Sequence, residues 1–388
     1  MTTTTALPSV GAKGMNPLRA LLEYGQSPWM DYIRRDLLTS GGLKKMIQED
    51  GLMGMTSNPT IFEKAITGSK DYSDILESPE AKRLDAKGVF EKIAIRDVQD
   101  ATDIFKSVYQ QTKRRDGYVS LEVSPLLAND TKGTIDEARR LWKSVGRENV
   151  MIKVPGTPEG LPAIRTLLEE GININITLLF AQWVYEDVAE AFLAALEARV
   201  KKGQDVSHLA SVASFFVSRI DTLIDSQIDA KLKTETDANR RTLLTGLQGK
   251  VAVANAKLTY HKYQEIYGGP RWKALVAKGA QTQRLLWAST STKNPKYRDV
   301  MYVEELIGAD TVDTIPPATF DAFRDHGRVR ASLTENLDDA AKIMLALEKA
   351  GISMKEVTDK LVVDGVKLFA DAFKQLLEAT GKTAGVRA

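Results

Sequence analysis

The chain has 388 residues, 43% hydrophobic and 27% charged, enough to bury the core of one large barrel or of two ordinary domains. Its 53 Lys and Arg offset 51 Asp and Glu, so no overall basic field exists to hold nucleic acid or an anionic membrane, and anions must be bound by a local cluster. With no cysteine, and with only His208, His261 and His326, all far apart in sequence, disulfides and thiolate catalysis are excluded and a metal site is not expected.

In chain order, Met1 to Val10 is threonine-rich and lacks a basic stretch followed by an apolar one, so it does not read as a signal peptide. The first 16 residues are expected to be flexible. No apolar run approaches the roughly 18 residues of a membrane span, and a cytoplasmic location is expected. A less regular strand near Pro28–Ile33 comes first. Further β-prone runs follow at Leu52–Met55, Tyr118–Val123, Val150–Val154, Ile172–Ile176, Leu209–Ala213, Arg284–Trp287 and Asp310–Thr314. Helical segments separate them; in Pro162–Glu170, Ile164, Leu167 and Leu168 fall at helical spacing.

This alternation predicts parallel βα units, and eight of them suit a closed (β/α)8 TIM barrel, with an open sheet as the alternative. Strands six and seven stand roughly 70 residues apart, far beyond an ordinary loop. Within that gap Ile220, Leu223, Ile224 and Ile228 repeat at helical spacing, as do Leu247, Val251, Ala254 and Leu258, until Gly268-Gly269-Pro270 stops the second run. A helical insertion over 216–280 is therefore expected within a single barrel domain spanning 1–388. Near the C-terminus Val362, Val366, Phe369, Phe373 and Leu376 predict a long amphipathic helix packed across the barrel.

In a parallel barrel, functional groups collect where strands end and the next loops begin. Asp31 lies at the first end, Ser57-Asn58-Pro59 after the second, Glu122 at the third, Lys153 near the fourth, Asn175 and Thr177 at the fifth. Ser214 and Arg219 follow the sixth, and Ser289 and Lys293 the seventh. Lys153 stands inside the apolar run Met151-Ile152-Lys153-Val154-Pro155. A solvated lysine has a pKa of about 10.4 and is a poor nucleophile at neutral pH, whereas burial disfavours an ammonium and frees an amine to attack a ketone. An outward lysine that snorkels to the surface is the plain alternative.

Each of the others has its plain alternative too. Glu122 is an inner acid–base group or an outer solvated one, and Asp31 a strand-end acid or a helix N-cap. Asn175 and Thr177 share a face in a strand and orient a water or hydroxyl, or bond each other. Arg219 is a phosphate clamp at a helix N-terminus or the surface partner of Asp221. A buried amine flanked by two carboxylates is what Schiff-base chemistry needs, because the amine attacks while acids and bases move protons through carbinolamine and imine.

Several segments resemble the transaldolase signatures: Met55-Thr56-Ser57-Asn58-Pro59-Thr60-Ile61-Phe62, Ile152-Lys153-Val154-Pro155 and Gly171-Ile172-Asn173-Ile174-Asn175-Ile176-Thr177-Leu178-Leu179-Phe180. Ser214-Phe215-Phe216-Val217-Ser218-Arg219-Ile220-Asp221 and the helix around Asp364-Gly365-Val366 look similar to that family as well. The resemblance spans about Pro17 to Leu377, and the length and insertion look like its longer subgroup.

It implies transfer of a dihydroxyacetone unit from fructose 6-phosphate or sedoheptulose 7-phosphate to erythrose 4-phosphate or glyceraldehyde 3-phosphate, in the non-oxidative pentose phosphate pathway, with no metal or organic cofactor. It further implies that Lys153 forms the Schiff base and that Asp31 moves the C4 hydroxyl proton. Glu122 and Thr177 would hold a water, and Asn58, Asn175 and Ser214 the dihydroxyacetone hydroxyls. Arg219, Ser289 and Lys293 would bind phosphate, with Arg298 as a substitute cation. Sugar phosphates are then the expected partners, with no nucleic acid or membrane, and association into a homodimer stays open. The rival readings are a sugar-phosphate aldolase of the same superfamily and a catalytically inactive sugar-phosphate binder.

Overall fold

In the computed structural model, which describes residues 16–387, eight parallel strands close into one barrel in chain order. They are β1 (Gln26–Asp31), β2 (Gly54–Thr56), β3 (Val119–Glu122), β4 (Val150–Pro155), β5 (Ile174–Leu179), β6 (Ser211–Phe216), β7 (Arg284–Ala288) and β8 (Thr311–Ile315). β8 pairs back onto β1 from Gln26↔Thr311 to Met30↔Ile315, which removes both sheet edges and rules out the open sheet. The expected flexibility at the N-terminus concerns residues 1–15, outside the described ones. Asn16 itself accepts from the Leu18 N–H and donates to Asp50, capping the helix Pro17–Ala20. Among the described residues no helix is long and apolar enough to cross a membrane.

All eight expected strands exist, but the second, fifth and sixth begin two residues later than the apolar pattern suggests and reach further toward the mouth. Ile172 still belongs to the turn leaving the preceding helix, where its N–H bonds the Leu167 carbonyl. At the other end Thr177 and Ser214 stay in the strands although they are polar, because a barrel mouth can use such side chains on its inner face.

Large side chains and one ion pair fill the lower barrel. Trp29 is fully buried and stands opposite Gly54, where even a Cβ would come within 2.5 Å of the indole. Below it Arg284, from the start of β7, reaches Asp116 with Nη2 at 2.8 Å, while Ser27 Oγ and Trp29 Nε1 also donate to that carboxylate at 2.8 and 2.9 Å. Burial alone would raise the Asp116 carboxyl, yet Arg284 and these bonds outweigh it and hold the group below the usual carboxylate range.

Between β6 and β7 the chain forms four helices, Ser218–Leu232, Ala238–Leu247, Val251–Gly268 and Pro270–Val276. The expected insertion thus starts two residues late, because Phe216 still closes β6. Ile220, Ile224, Ile228, Leu247, Val251 and Ala254 are buried as the spacing predicts, whereas Leu223 and Leu258 are half-buried. Asn255 ties this region to the barrel by donating to the Phe180 carbonyl at 2.9 Å.

The C-terminal helix runs Met354–Ala384. Phe369, Phe373 and Leu376 are buried as expected, but Leu361 and Gly365 carry the stripe where Val362 and Val366 were expected, and those valines are half-buried. Gly365 lets the helix approach β5 closely, since a Cβ there would lie 2.9 Å from Leu178 Cδ2. The helix therefore crosses the mouth and places Phe369 over it.

Arg284→Met should leave Asp116 buried without its cation and cost about 3–5 kcal/mol near pH 7. The native pair contributes stability above the unfolded aspartate value of about 4 and loses it as the pH falls through the lower folded value. In the variant burial acts on the Asp116 carboxyl without its cation and raises it, so it takes up a proton at a higher pH than the native group does. Urea unfolding at pH 7 and pH 4 should show a smaller mutant deficit at the acid pH, and an equal deficit at both would mean that charge is not what holds this end.

Candidate active site

The inner side chains at the C-terminal ends of the strands surround a cavity of ≈ 410 Å³. Asp31, Asn58, Lys153, Thr177, Ser214 and Arg219 line it, together with Ser289 and Lys293. Glu122 and Asn175 do not line the cavity and lie against residues that do.

Lys153 points inward from β4 and is 5% exposed, so it is not a surface lysine. Strand register sets Glu122 beside it on β3 and Asn175 beside it on β5. Its Nζ lies 3.4 Å from Glu122 Oε2, donates to the Ser57 carbonyl at 3.3 Å and sits 5.8 Å from the Phe369 ring centre. The Glu122 carboxyl is pushed up by burial, opposed by Lys153 and reinforced by the negative charge of Asp31. Glu122 Oε2 and Thr177 Oγ1 are both buried without a protein hydrogen-bond partner.

Asp31 is no helix cap. It ends β1, and Thr56 Oγ1 donates to its Oδ1 at 2.7 Å while Thr314 Oγ1 lies 2.6 Å from the same hydroxyl. Burial raises its carboxyl too, with Lys153 and Thr56 pulling against it. One amine thus shares the barrel mouth with two acids that both resist ionisation, an arrangement suited to passing protons.

Asn175 is fully buried. Its Nδ2 donates to Ser120 Oγ at 3.0 Å and its Oδ1 accepts from Ser214 Oγ at 2.6 Å. The amide thus orients Ser214, which faces the cavity, and each of its ends keeps one further hydrogen-bonding site. Asn58 caps the helix Pro59–Thr67 by accepting from the Ile61 N–H at 3.1 Å.

On the far side of the mouth Arg219 starts the helix Ser218–Leu232 and stacks 5.5 Å from Phe216 and 5.9 Å from Phe369. It does not pair with Asp221, which is buried and accepts from Ala252 N–H at 2.8 Å and Tyr302 O–H at 2.9 Å. Burial lowers the Arg219 guanidinium from its ordinary value, and burial and then Arg219 lower the Lys293 ammonium, with no acid acting on either. Lys293 donates to Ser291 Oγ at 2.7 Å. Arg298 is committed elsewhere, in a two-point bond to Glu304 at 2.8 and 3.0 Å, and does not line the cavity.

Sequence reasoning missed Lys64, Thr314 and Phe369 as lining residues. Phe369 read as core because it sits in the apolar stripe of its helix, and Lys64 carries no signal that separates it from any other helical lysine. Thr56 stood inside the motif around Asn58 but was assigned no role. Among the described residues no group of three or more His, Cys, Asp or Glu could hold a metal ion.

Comparison with known proteins identifies the family. The family model described as Transaldolase/Fructose-6-phosphate aldolase matches residues 28–380. A transaldolase of Trichodesmium erythraeum is 48% identical over 366 residues, covering 94% of this chain and 96% of that protein. Transaldolase 2 of Nostoc punctiforme is 48% identical with the same coverage, and the transaldolase of Thiobacillus denitrificans is 43% identical, covering 95% of this chain and 100% of its own. With a family model matched over nearly the whole barrel and relatives this similar from end to end, the chain belongs to the transaldolase/fructose-6-phosphate aldolase family.

Proposed function

We propose that Lys153 carries a Schiff-base transaldolase reaction on sugar phosphates, with Asp31 and Glu122 dividing the proton transfers. The observation that carries this reading is the amine of Lys153, 5% exposed, set beside one acid at 3.4 Å and within the field of a second. Nζ adds to the C2 carbonyl of a ketose phosphate to give a carbinolamine, which loses water to an iminium. Asp31 then takes the proton of the C4 hydroxyl. The C3–C4 bond breaks, its electron pair moves toward the iminium nitrogen as an enamine, and the aldehyde leaves. An acceptor aldose phosphate reverses these steps: the enamine attacks its carbonyl, Asp31 returns the proton, and water releases the new ketose.

Glu122 and Thr177 serve the two steps that expel and return water, since each has a buried oxygen without a hydrogen-bond partner, that of Glu122 facing the Lys153 amine at 3.4 Å. Ser214, oriented by Asn175, and the amide nitrogen of Asn58 hold the hydroxyls of the dihydroxyacetone unit. Arg219, with Lys293 and Ser289, takes the phosphate, because two cations without acids repel each other until an anion sits between them. A coupled assay decides between transfer and lysis: product formation from fructose 6-phosphate should require erythrose 4-phosphate, and release of free dihydroxyacetone without an acceptor would favour the aldolase.

Three outcomes test the assignments. Borohydride with fructose 6-phosphate should add a reduced dihydroxyacetone unit to Lys153 alone by mass mapping, and Lys153→Arg should abolish both labelling and turnover, since a guanidinium stays protonated.

The two acids should separate kinetically. Asp31→Ala should still be trapped by borohydride but release aldehyde slowly, whereas Glu122→Gln should slow formation and hydrolysis of the imine, each by about 10²–10⁴-fold. Equal trapping rates in both variants would remove the case for distinct roles.

Losing the Arg219 contact should cost about 1.5–3 kcal/mol, or roughly 10–150-fold in kcat/KM on phosphorylated donors. Dihydroxyacetone transfer from unphosphorylated donors should fall much less in Arg219→Ala, and Lys293→Ala should show the same selectivity more weakly. Equal losses on both substrate classes would make Arg219 a support of the fold.

A further inference from the structure

Asp313 lies on β8 between Val312 and Thr314, and Thr314 faces the cavity, so the strand's alternation turns Asp313 to the opposite, helix-facing side. There it is 0% exposed and no cation acts on it. A buried carboxyl without a cation is costly, and an apolar side chain at this position would be cheaper. What the group makes is one hydrogen bond: Thr290 Oγ1 donates to its Oδ1 at 2.9 Å, while Oδ2 has no protein partner.

Thr290 is the middle of the turn that follows β7. Before it, Ser289 adopts φ +58°, in the left-handed region that a non-glycine residue seldom enters without support. After it come Ser291 and Lys293, and all three face the cavity. The same turn meets the start of the helix that bears Arg219. The Ser218 N–H donates to the Ser289 carbonyl at 3.1 Å, and the two serine hydroxyls lie 3.0 Å apart. A chain of contacts therefore runs from Asp313 through Thr290 and Ser289 to Ser218, the residue before Arg219.

We propose that Asp313, outside the barrel interior, is a positioning residue for the phosphate of the substrate: through Thr290 it holds the left-handed turn that aims Ser289 and Lys293 and braces the first turn of the Arg219 helix. This inference rests on the reading of Arg219 and Lys293 as the phosphate site. Burial pushes the Asp313 carboxyl up to about 8, with the Thr290 bond opposing, so at neutral pH the group is a neutral acid whose carbonyl oxygen accepts. An amide has the same shape and the same acceptor.

Three variants and a control read this out, with inorganic phosphate as a competitive inhibitor and fructose 6-phosphate as donor. Asp313→Leu and Thr290→Val should each raise the phosphate inhibition constant and the fructose 6-phosphate KM by roughly 5–20-fold, with kcat moving much less. Asp313→Asn should stay close to the unmodified enzyme. Should Asp313→Leu fail to fold, Thr290→Val still decides, because it removes only the donor hydroxyl. Unchanged phosphate inhibition in Thr290→Val would overturn the inference, as would a loss in Asp313→Leu that falls on kcat and Tm alone. Arg219→Ala separates the two levels. If it weakens phosphate while Thr290→Val does not, the site reading stands and the positioning role falls; if Arg219→Ala leaves phosphate binding intact, both fall together.

Discussion

Closing eight parallel strands on themselves sends every second side chain into a narrow interior, and the rest of this molecule follows from how that interior is filled. At the lower end Trp29 takes the space left by Gly54, and the Arg284–Asp116 pair with Ser27 closes the floor. Side chains as large as these leave no channel below. Polar groups placed higher on the inner faces of the strands turn toward the mouth, and Lys153, Glu122 and Asp31 are held there by the strands themselves. Their mutual geometry is a property of the ladder: Glu122 faces Lys153 because Val119 pairs with Val150 three residues earlier.

The mouth separates two electrostatic tasks. On one side an amine and two acids share protons, and burial makes both acids reluctant to ionise. On the other, Arg219 and Lys293 present positive charge without a neutralising acid. Phe369 comes between them, 5.8 Å from the Lys153 amine and 5.9 Å from the Arg219 guanidinium. An aromatic face attracts both cations. It arrives from a helix more than 200 residues away from Lys153 in sequence, so the C-terminal segment completes the wall of a site whose chemistry belongs to the strands.

Much of the candidate site was readable because the barrel imposes a rule: polar residues just after apolar runs fall at the same end. Asp31, Asn58, Lys153, Thr177 and Ser214 all obey it and line one cavity. The rule cannot tell a residue that lines the cavity from one just behind it, such as Asn175, whose amide bonds Ser120 and Ser214. Nor can it find Asp313, which sits on the wrong face of its strand and acts through a loop.

The sequence alone determined the order of elements, the inserted helices and the place of a lysine inside an apolar strand, because hydrophobic periodicity and a lysine in an apolar run are local facts. It misjudged where strands two, five and six begin and end, since a run of apolar residues marks burial and continues into turns that are equally buried. It also placed the first two positions of the C-terminal helix's stripe one residue off, at Val362 and Val366, because the close approach at Gly365 depends on the position of Leu178. Whether Arg219 pairs with Asp221, and whether Lys293 or Arg298 stands beside it at the cavity, was decided only when the chain folded. Arg298 finds Glu304 and Asp221 finds Ala252 and Tyr302, and such partnerships depend on distances between segments that spacing along the chain does not contain.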